Sequence, residues 1–229
     1  MNRFAVVVAC AVVVSCAGTP GTPVHRPAPR APAPPMAVAS DVVFAIDMSK
    51  SMIETDVSPS RLEATKLALR RFVANDTVDR IGVVIFSQQG KRLSALDAAR
   101  TQLDQAIASL RLGDVPELGT GIGDGLAVAV DEVRSGGARR QAVVLISDGD
   151  YNWATHFDPD QATAAAKGVG VVVHTVLIAN DRPDGTPTTN PALMEHIAIT
   201  TGGSFYRATD ATTLDRALDD IQAKLRAEG

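Results

Sequence analysis

Three short segments carry residues that together could bind a metal ion. Asp47, Ser49 and Ser51 alternate through Asp47–Met48–Ser49–Lys50–Ser51, Thr120 sits in Gly119–Thr120–Gly121, and Asp148 in Ser147–Asp148–Gly149. Two carboxylates and three hydroxyls form an all-oxygen set, suited to a hard divalent cation such as Mg²⁺, with Mn²⁺ or Ca²⁺ as alternatives. Two aspartates neutralise such an ion, and neutral hydroxyls add coordination without further charge. The metal would stay electrophilic and accept one oxygen from outside.

Those residues can meet only if the segments before them end side by side. Asp41–Asp47 (DVVFAID), Arg80–Ser87 (RIGVVIFS), Gln141–Ser147 (QAVVLIS) and Val171–Ile178 (VVVHTVLI) are short apolar runs suited to strands buried on both faces. Lys91–Ala95 reads as a short edge strand and Ser204–Tyr206 as a final strand. Helical patterns lie between them. Ser60–Arg61–Leu62–Glu63 is a capping-box pattern opening a helix to about Val73, and Asp97–Leu110 reads as another. Ile122, Leu126, Ala129, Val130 and Val133 share one helical face after Gly121, and Asp158–Pro159 reads as an N-cap with proline at the first helical position. Ala192–Thr201 should be a helix stopped by Gly202–Gly203, Pro183–Asp184–Gly185 a turn, and Leu214, Leu218, Ile221 and Leu225 one face of a terminal helix. This alternation predicts an α/β fold: a mainly parallel sheet of about six strands with one short antiparallel edge, and helices on both faces. Asp47 and Asp148 then follow strand ends, where such sheets place ligands.

The chain has 229 residues, enough for one large domain, with 45% hydrophobic and 21% charged residues. A formal net charge of −4, with Arg139–Arg140 and Lys91–Arg92 only isolated basic pairs, argues against general nucleic-acid binding. Met1–Asn2–Arg3 followed by the apolar run Phe4 to Val14 reads as a signal peptide, the run being about half of the ~20 residues a membrane-spanning helix needs. Val13–Val14–Ser15–Cys16 resembles a bacterial lipobox, which predicts lipidation of Cys16. The expected organisation is a lipoprotein signal at 1–16, a Pro/Ala-rich spacer at 17–37 and the folded domain at 38–229. The only other cysteine, Cys10, lies inside the apolar run, so the mature domain would have no disulfide. No second apolar run of membrane-spanning length follows, which makes the lipid the expected anchor. With Ala17 rather than aspartate after Cys16, resemblance to the lipoprotein sorting rule favours the outer membrane of a two-membrane cell.

The five oxygen donors and their order resemble the metal-ion-dependent adhesion site (MIDAS) of the von Willebrand factor A superfamily: Asp-x-Ser-x-Ser, a distant Thr and a distant Asp. Ser60–Arg61–Leu62–Glu63–Ala64, the run from Gly119 to Leu126, and Thr201–Gly202–Gly203–Ser204–Phe205–Tyr206–Arg207–Ala208 are similar to bacterial aerotolerance (Bat-type) members. The resemblance runs from about Asp41 to Leu225. It implies a Rossmann-like fold and a metal held by Asp47, Ser49, Ser51, Thr120 and Asp148. It also implies a partner protein whose Asp or Glu supplies the missing ligand, in a module on the cell envelope. Those relatives usually carry flanking membrane helices, so their ATPase partners are not carried over to this chain.

Tyr151, Asn152, Trp153 and His156 follow Asp148 in a loop expected to border the metal face, with Tyr151 and Trp153 as candidate partner contacts. Asp150 reads either as a support for the metal ligands or as a loop aspartate. The glycines from Gly119 to Gly125 do not match G-x-G-x-x-G, and are expected to let the backbone turn and present Thr120. His174 reads as a structural strand histidine, and His196 has no partner at metal-ligand spacing. A hydrolase is the rival class. A haloacid-dehalogenase-like site would need aspartate where Ser49 stands, and neither G-x-S-x-G nor H-E-x-x-H occurs. A binding module without catalysis is therefore expected, with a structural envelope protein carrying an idle metal site as the third reading.

Overall fold

Four of the apolar runs become strands with neither face in water. The computed structural model describes residues 40–76, 79–116, 119–180 and 189–227. Cys16, the spacer at 17–37 and the turn at Pro183–Asp184–Gly185 lie outside the described residues.

The strands are β1 (Asp41–Asp47), β2 (Arg80–Phe86), β3 (Gly90–Ser94), β4 (Gln141–Ser147), β5 (Val172–Ile178) and β6 (Phe205–Ala208). They form one sheet in the order β3-β2-β1-β4-β5-β6. Every pairing is parallel except β2 with β3, so the antiparallel edge falls where Lys91–Ala95 predicts it. The helices are α1 (Arg61–Asn75), α2 (Arg100–Ser109), α3 (Ile122–Gly136), α4 (Pro159–Gly168), α5 (Pro191–Thr201) and α6 (Ala211–Ala227).

Side chains of β1 alternate between two cores. Val42, Phe44 and Ile46 pack with α1, α2 and α6, while Val43 and Ala45 pack with α3, α4 and α5. Phe44 meets Phe72 of α1 edge-on, with ring centroids 5.0 Å apart. Burial on both faces explains the continuous apolar runs and fixes the register tightly. Among the described residues, no helix is long and apolar enough to cross a membrane.

Helix ends follow the cap chemistry with local departures. Ser60 accepts from the Glu63 N–H at 3.2 Å, but the Glu63 carboxylate turns to Lys66 Nζ at 2.8 Å, so only half of the expected capping box forms at α1. The complete box is at α4, where Asp158 and Gln161 exchange bonds and Pro159 opens the helix. Helix α2 begins at Arg100 rather than Asp97, because a turn with the Ala98 N–H donating to Ala95 O precedes it. Strand β6 runs to Ala208, two residues beyond the expected end.

The sheet order positions the site. From β1 the chain crosses to β2 on one side and later returns to β4 on the other, so β1 and β4 are neighbours with the crossovers diverging above them. Such a switch point leaves a crevice at the carboxyl ends of the strands. Asp47 ends β1 and Asp148 immediately follows β4, with Ile46 paired to Ile146 just below.

Candidate metal centre

Asp47 is fully buried and held at both oxygens. Oδ1 accepts from the Ser49 N–H at 2.7 Å and Oδ2 from the Ser147 hydroxyl at 2.6 Å. The chain then folds into a 3₁₀ turn, Lys50–Ile53, whose Met52 N–H donates to Ser49 O. That turn carries Ser51 back over Ser49, and their hydroxyl oxygens lie 3.1 Å apart.

Asp148 is also fully buried. Its Oδ2 accepts from Arg61 Nη1 at 2.8 Å, and Oδ1 from the Asp150 N–H at 3.1 Å. Gly149 turns the chain away with φ 77°, a conformation that favours glycine, and its N–H donates to Ser147 Oγ at 2.9 Å. Ser147 thus links the two aspartate segments through one hydroxyl.

Thr120 reaches the same face from the loop before α3. Its N–H donates to Asn152 Oδ1 at 2.9 Å, and its carbonyl accepts from the Asn152 N–H at 3.3 Å. Ser87, just past β2, donates to Gly119 O and accepts from the Gly121 N–H. The glycine run acts by size: among the described residues, positive φ occurs at Gly113, Gly137, Gly149, Gly170 and Gly202, and at none of the glycines from Gly119 to Gly125. A Cβ on Gly121 would lie 2.5 Å from Gln88 O, and one on Gly125 would collide with the Phe86 ring. Small residues let α3 and its leading loop approach β2 closely enough to bring Thr120 in.

Ser49, Ser51 and Thr120 share an open recess of about 280 Å³, also lined by Lys50, Gly119, Asp150 and Asn152, while Asp47 and Asp148 are buried beside these segments. Burial, and then the neighbouring Asp148, push the Asp47 carboxyl up to about 7 against the pull of Ser147 and Ser49. Burial likewise raises Asp148, opposed by Ser51, the Asp150 N–H and Arg61. Two desolvated acids side by side are costly, and a cation between them would remove that cost. Among the described residues, no group of three or more His, Cys, Asp or Glu could hold a metal. Any ion here must draw on the hydroxyls, and the donor set fits a hard cation.

The neighbouring loop divides its roles. Trp153 is 39% exposed, with Nε1 donating to Thr155 Oγ1 at 3.1 Å. Tyr151 is half-buried against the core beneath α3, α4 and α5, which leaves less of it for a partner. Asp124, unremarked among the glycines, accepts from the N–H groups of Thr155, His156 and Phe157 and ties the loop to α3. Asp150 is exposed at the rim. His174 is buried, its Nδ1 accepting from the Ser204 N–H at 3.1 Å; burial and then Lys224 lower its pKa to about 4. His196 lies 3.5 Å from Asp160, an exposed contact between α5 and α4.

Arg61 is the residue that pattern reading passed over. It is 4% exposed, grips Asp56 with Nε and Nη2 at 2.8 Å each, and spends Nη1 on Asp148. A signal was present: a cation in the first turn of a helix opposes the helix dipole and needs an acidic partner to offset it.

Comparison with known proteins agrees with this fold. An aerotolerance-related membrane protein from Bacteroides fragilis superposes with a TM-score of 0.71 at 20% identity, over 82% of this chain and 99% of that one. Proximal thread matrix protein 1 from the mussel byssus, in a structure whose MIDAS motif is occupied by zinc, gives a TM-score of 0.63 at 20% identity, over 81% of this chain and 47% of that one. A protein of Borreliella burgdorferi is 22% identical over 209 residues, covering 84% of this chain and 61% of its own length. The chain spans less than two thirds of the length of the first curated relatives it matches. The family model for the von Willebrand factor type A domain matches residues 41–223, and the chain belongs to that family.

Proposed function

We propose that this domain binds a divalent cation through Asp47, Ser49, Ser51, Thr120 and Asp148, and uses it to capture a carboxylate from a protein partner. The observation that carries this reading is the pair of fully buried aspartates beside hydroxyls at an open recess. Bound there, the metal would supply a Lewis-acidic position open to an outside Asp or Glu. The protein's own work is to hold its donors in advance. Ser147 and the Ser49 N–H orient Asp47, the 3₁₀ turn sets Ser51 beside Ser49, and Asn152 holds the Thr120 backbone. Mg²⁺ is the proposed native ion, since oxygen donors without thiolate or imidazole suit it. The zinc in the mussel protein supports a divalent site on this fold.

The domain acts as a binding module rather than an enzyme, exported and anchored to the envelope by lipid on Cys16, with Trp153 at the rim of the interface. Isothermal titration with Mg²⁺ and Mn²⁺ should show one site in the wild type and none in Asp47→Ala. Crosslinking in cells should then give partner adducts that EDTA and Asp47→Ala both remove. Metal binding unchanged by Asp47→Ala would refute the site, and metal-independent crosslinks would refute the capture step.

A further inference from the structure

The buried ion pair between Arg61 and Asp148 does more than close a loop. Asp47 and Asp148 lie together out of water, and the donors to Asp47, the Ser147 hydroxyl and Ser49, are neutral. The Arg61 guanidinium reaches Asp148, with Nη1 2.8 Å from Oδ2 and a side chain 5% exposed against Asp148's 0%. Its direction is fixed from behind. The two-pronged bond to Asp56 uses Nε and Nη2, leaving Nη1 to point at Asp148. Asp56 is itself fastened, its Oδ2 accepting from the Asn180 N–H at 2.7 Å and its carbonyl from Asn180 Nδ2 at 2.8 Å. Arg61 therefore cannot swing away without breaking a network that spans the loops after β1 and β5.

We propose that Arg61 is the built-in counter-cation of the metal-free site: it holds Asp148 ready and keeps the domain folded until a divalent ion takes over that charge. This positioning role rests on the metal-site reading above. It follows that guanidinium and metal share one carboxylate. Part of what the metal gains at Asp148 replaces an interaction already made, so the wild type gains less stability from metal than an unpaired acidic site would. Removing the guanidinium strands Asp148 in the metal-free protein and enlarges what the metal restores.

The test is thermal unfolding of the folded domain in EDTA and in saturating Mg²⁺, for wild type, Arg61→Gln and Arg61→Lys, with Mg²⁺ titration alongside. Arg61→Gln should melt lower in EDTA, and its Mg²⁺-induced rise in Tm should be at least about twice the wild-type rise. Its Mg²⁺ affinity should tighten by threefold or more. Arg61→Lys keeps the charge and loses the fork, and should fall between the two. If Arg61→Gln does not fold under either condition, Arg61→Lys carries the test. A Lys variant destabilised to the same degree in EDTA and in Mg²⁺ would overturn the proposal, because the loss would then be that of a structural fork and not of a counter-charge. A Gln variant destabilised equally with and without Mg²⁺ overturns it too, while wild-type metal binding leaves the site itself standing. Absence of Mg²⁺ and Mn²⁺ binding in the wild type would sink both.

Discussion

Ser147→Ala isolates one hydroxyl that no metal needs to touch. The serine ends β4, is fully buried, donates to Asp47 Oδ2 at 2.6 Å and accepts from the Gly149 N–H at 2.9 Å. Alanine keeps the strand conformation and leaves no void beyond one oxygen atom. Two losses follow: a hydrogen bond to a carboxylate, worth about 1.5–3 kcal/mol, and a buried N–H left without an acceptor, about 1–3 kcal/mol. These share one atom and do not add fully, so the expected loss is about 2–4 kcal/mol. For a domain of this size that is roughly 4–16 °C in Tm, at about 2–4 °C per kcal/mol. Urea unfolding in EDTA, with an unchanged m-value, measures it directly. The Ser147 hydroxyl also holds the Asp47 pKa down, so the variant should bind Mg²⁺ more weakly at neutral pH. A stability loss below about 0.5 kcal/mol would refute the view that Ser147 couples the two aspartate segments.

Three further outcomes follow from the same structure. His174 titrates near 4 when folded and near 6.5 when unfolded, so the unfolded chain binds more protons between those values. Its contribution is complete above about 6.5 and is lost as pH falls toward 4, on the order of 3 kcal/mol in all. His174→Asn, whose side-chain oxygen can accept from the Ser204 N–H, should flatten that part of the urea stability profile; an unchanged difference from wild type between pH 7 and 4.5 would count against it. Gly125→Ala drives a methyl into the Phe86 ring, with Phe86 Cδ1 2.6 Å from the new carbon, and should cost about 1–3 kcal/mol in urea melts. Trp153→Ala removes a side chain 39% exposed, and should shift stability by less than about 1 kcal/mol while weakening partner binding about tenfold or more. Equal binding by the Trp153 variant would show that the rim there is bystander surface.

Strands β1 and β4 were legible to the residue because a strand buried on both faces is written as an unbroken apolar run, and neither neighbour competes with that signal. The places of Asp47 and Asp148 at the carboxyl ends of β1 and β4 were legible for a related reason: each stands where such a run stops. What escaped the pattern was carried by contacts between distant segments. The 3₁₀ turn at Lys50–Ile53 exists because Met52 is buried beneath it, and nothing local marks a four-residue turn. Ser147 reads as the last residue of an apolar strand, and only the parallel pairing of β4 with β1 sets its hydroxyl against Asp47. Asp124 looks like helix-start chemistry, yet its carboxylate serves a loop 31 to 33 residues away. The start of α2 moved because Asp97 offers cap chemistry that the Ala95–Ala98 turn overrides.

Placing the acids at the centre of the sheet ties binding to folding. Asp47 ends a strand that pairs with β2 through Asp47 and with β4 through Ile46, so its geometry cannot relax without disturbing β2 and β4. A loop-borne carboxylate would turn toward water when no ion is present. These two cannot, and the cost of their burial stays in the structure as a standing demand for positive charge. Arg61 meets part of that demand from the side of α1, and the recess formed by Ser49, Ser51 and Thr120 leaves the other side open. An ion entering there, as proposed, would find donors already held by Ser147, Asn152 and the backbone. Affinity then depends on charge and fit more than on reordering of the chain. On that basis, substitutions that leave the sheet intact but change the charge around Asp148 should move metal affinity and metal-linked stability together.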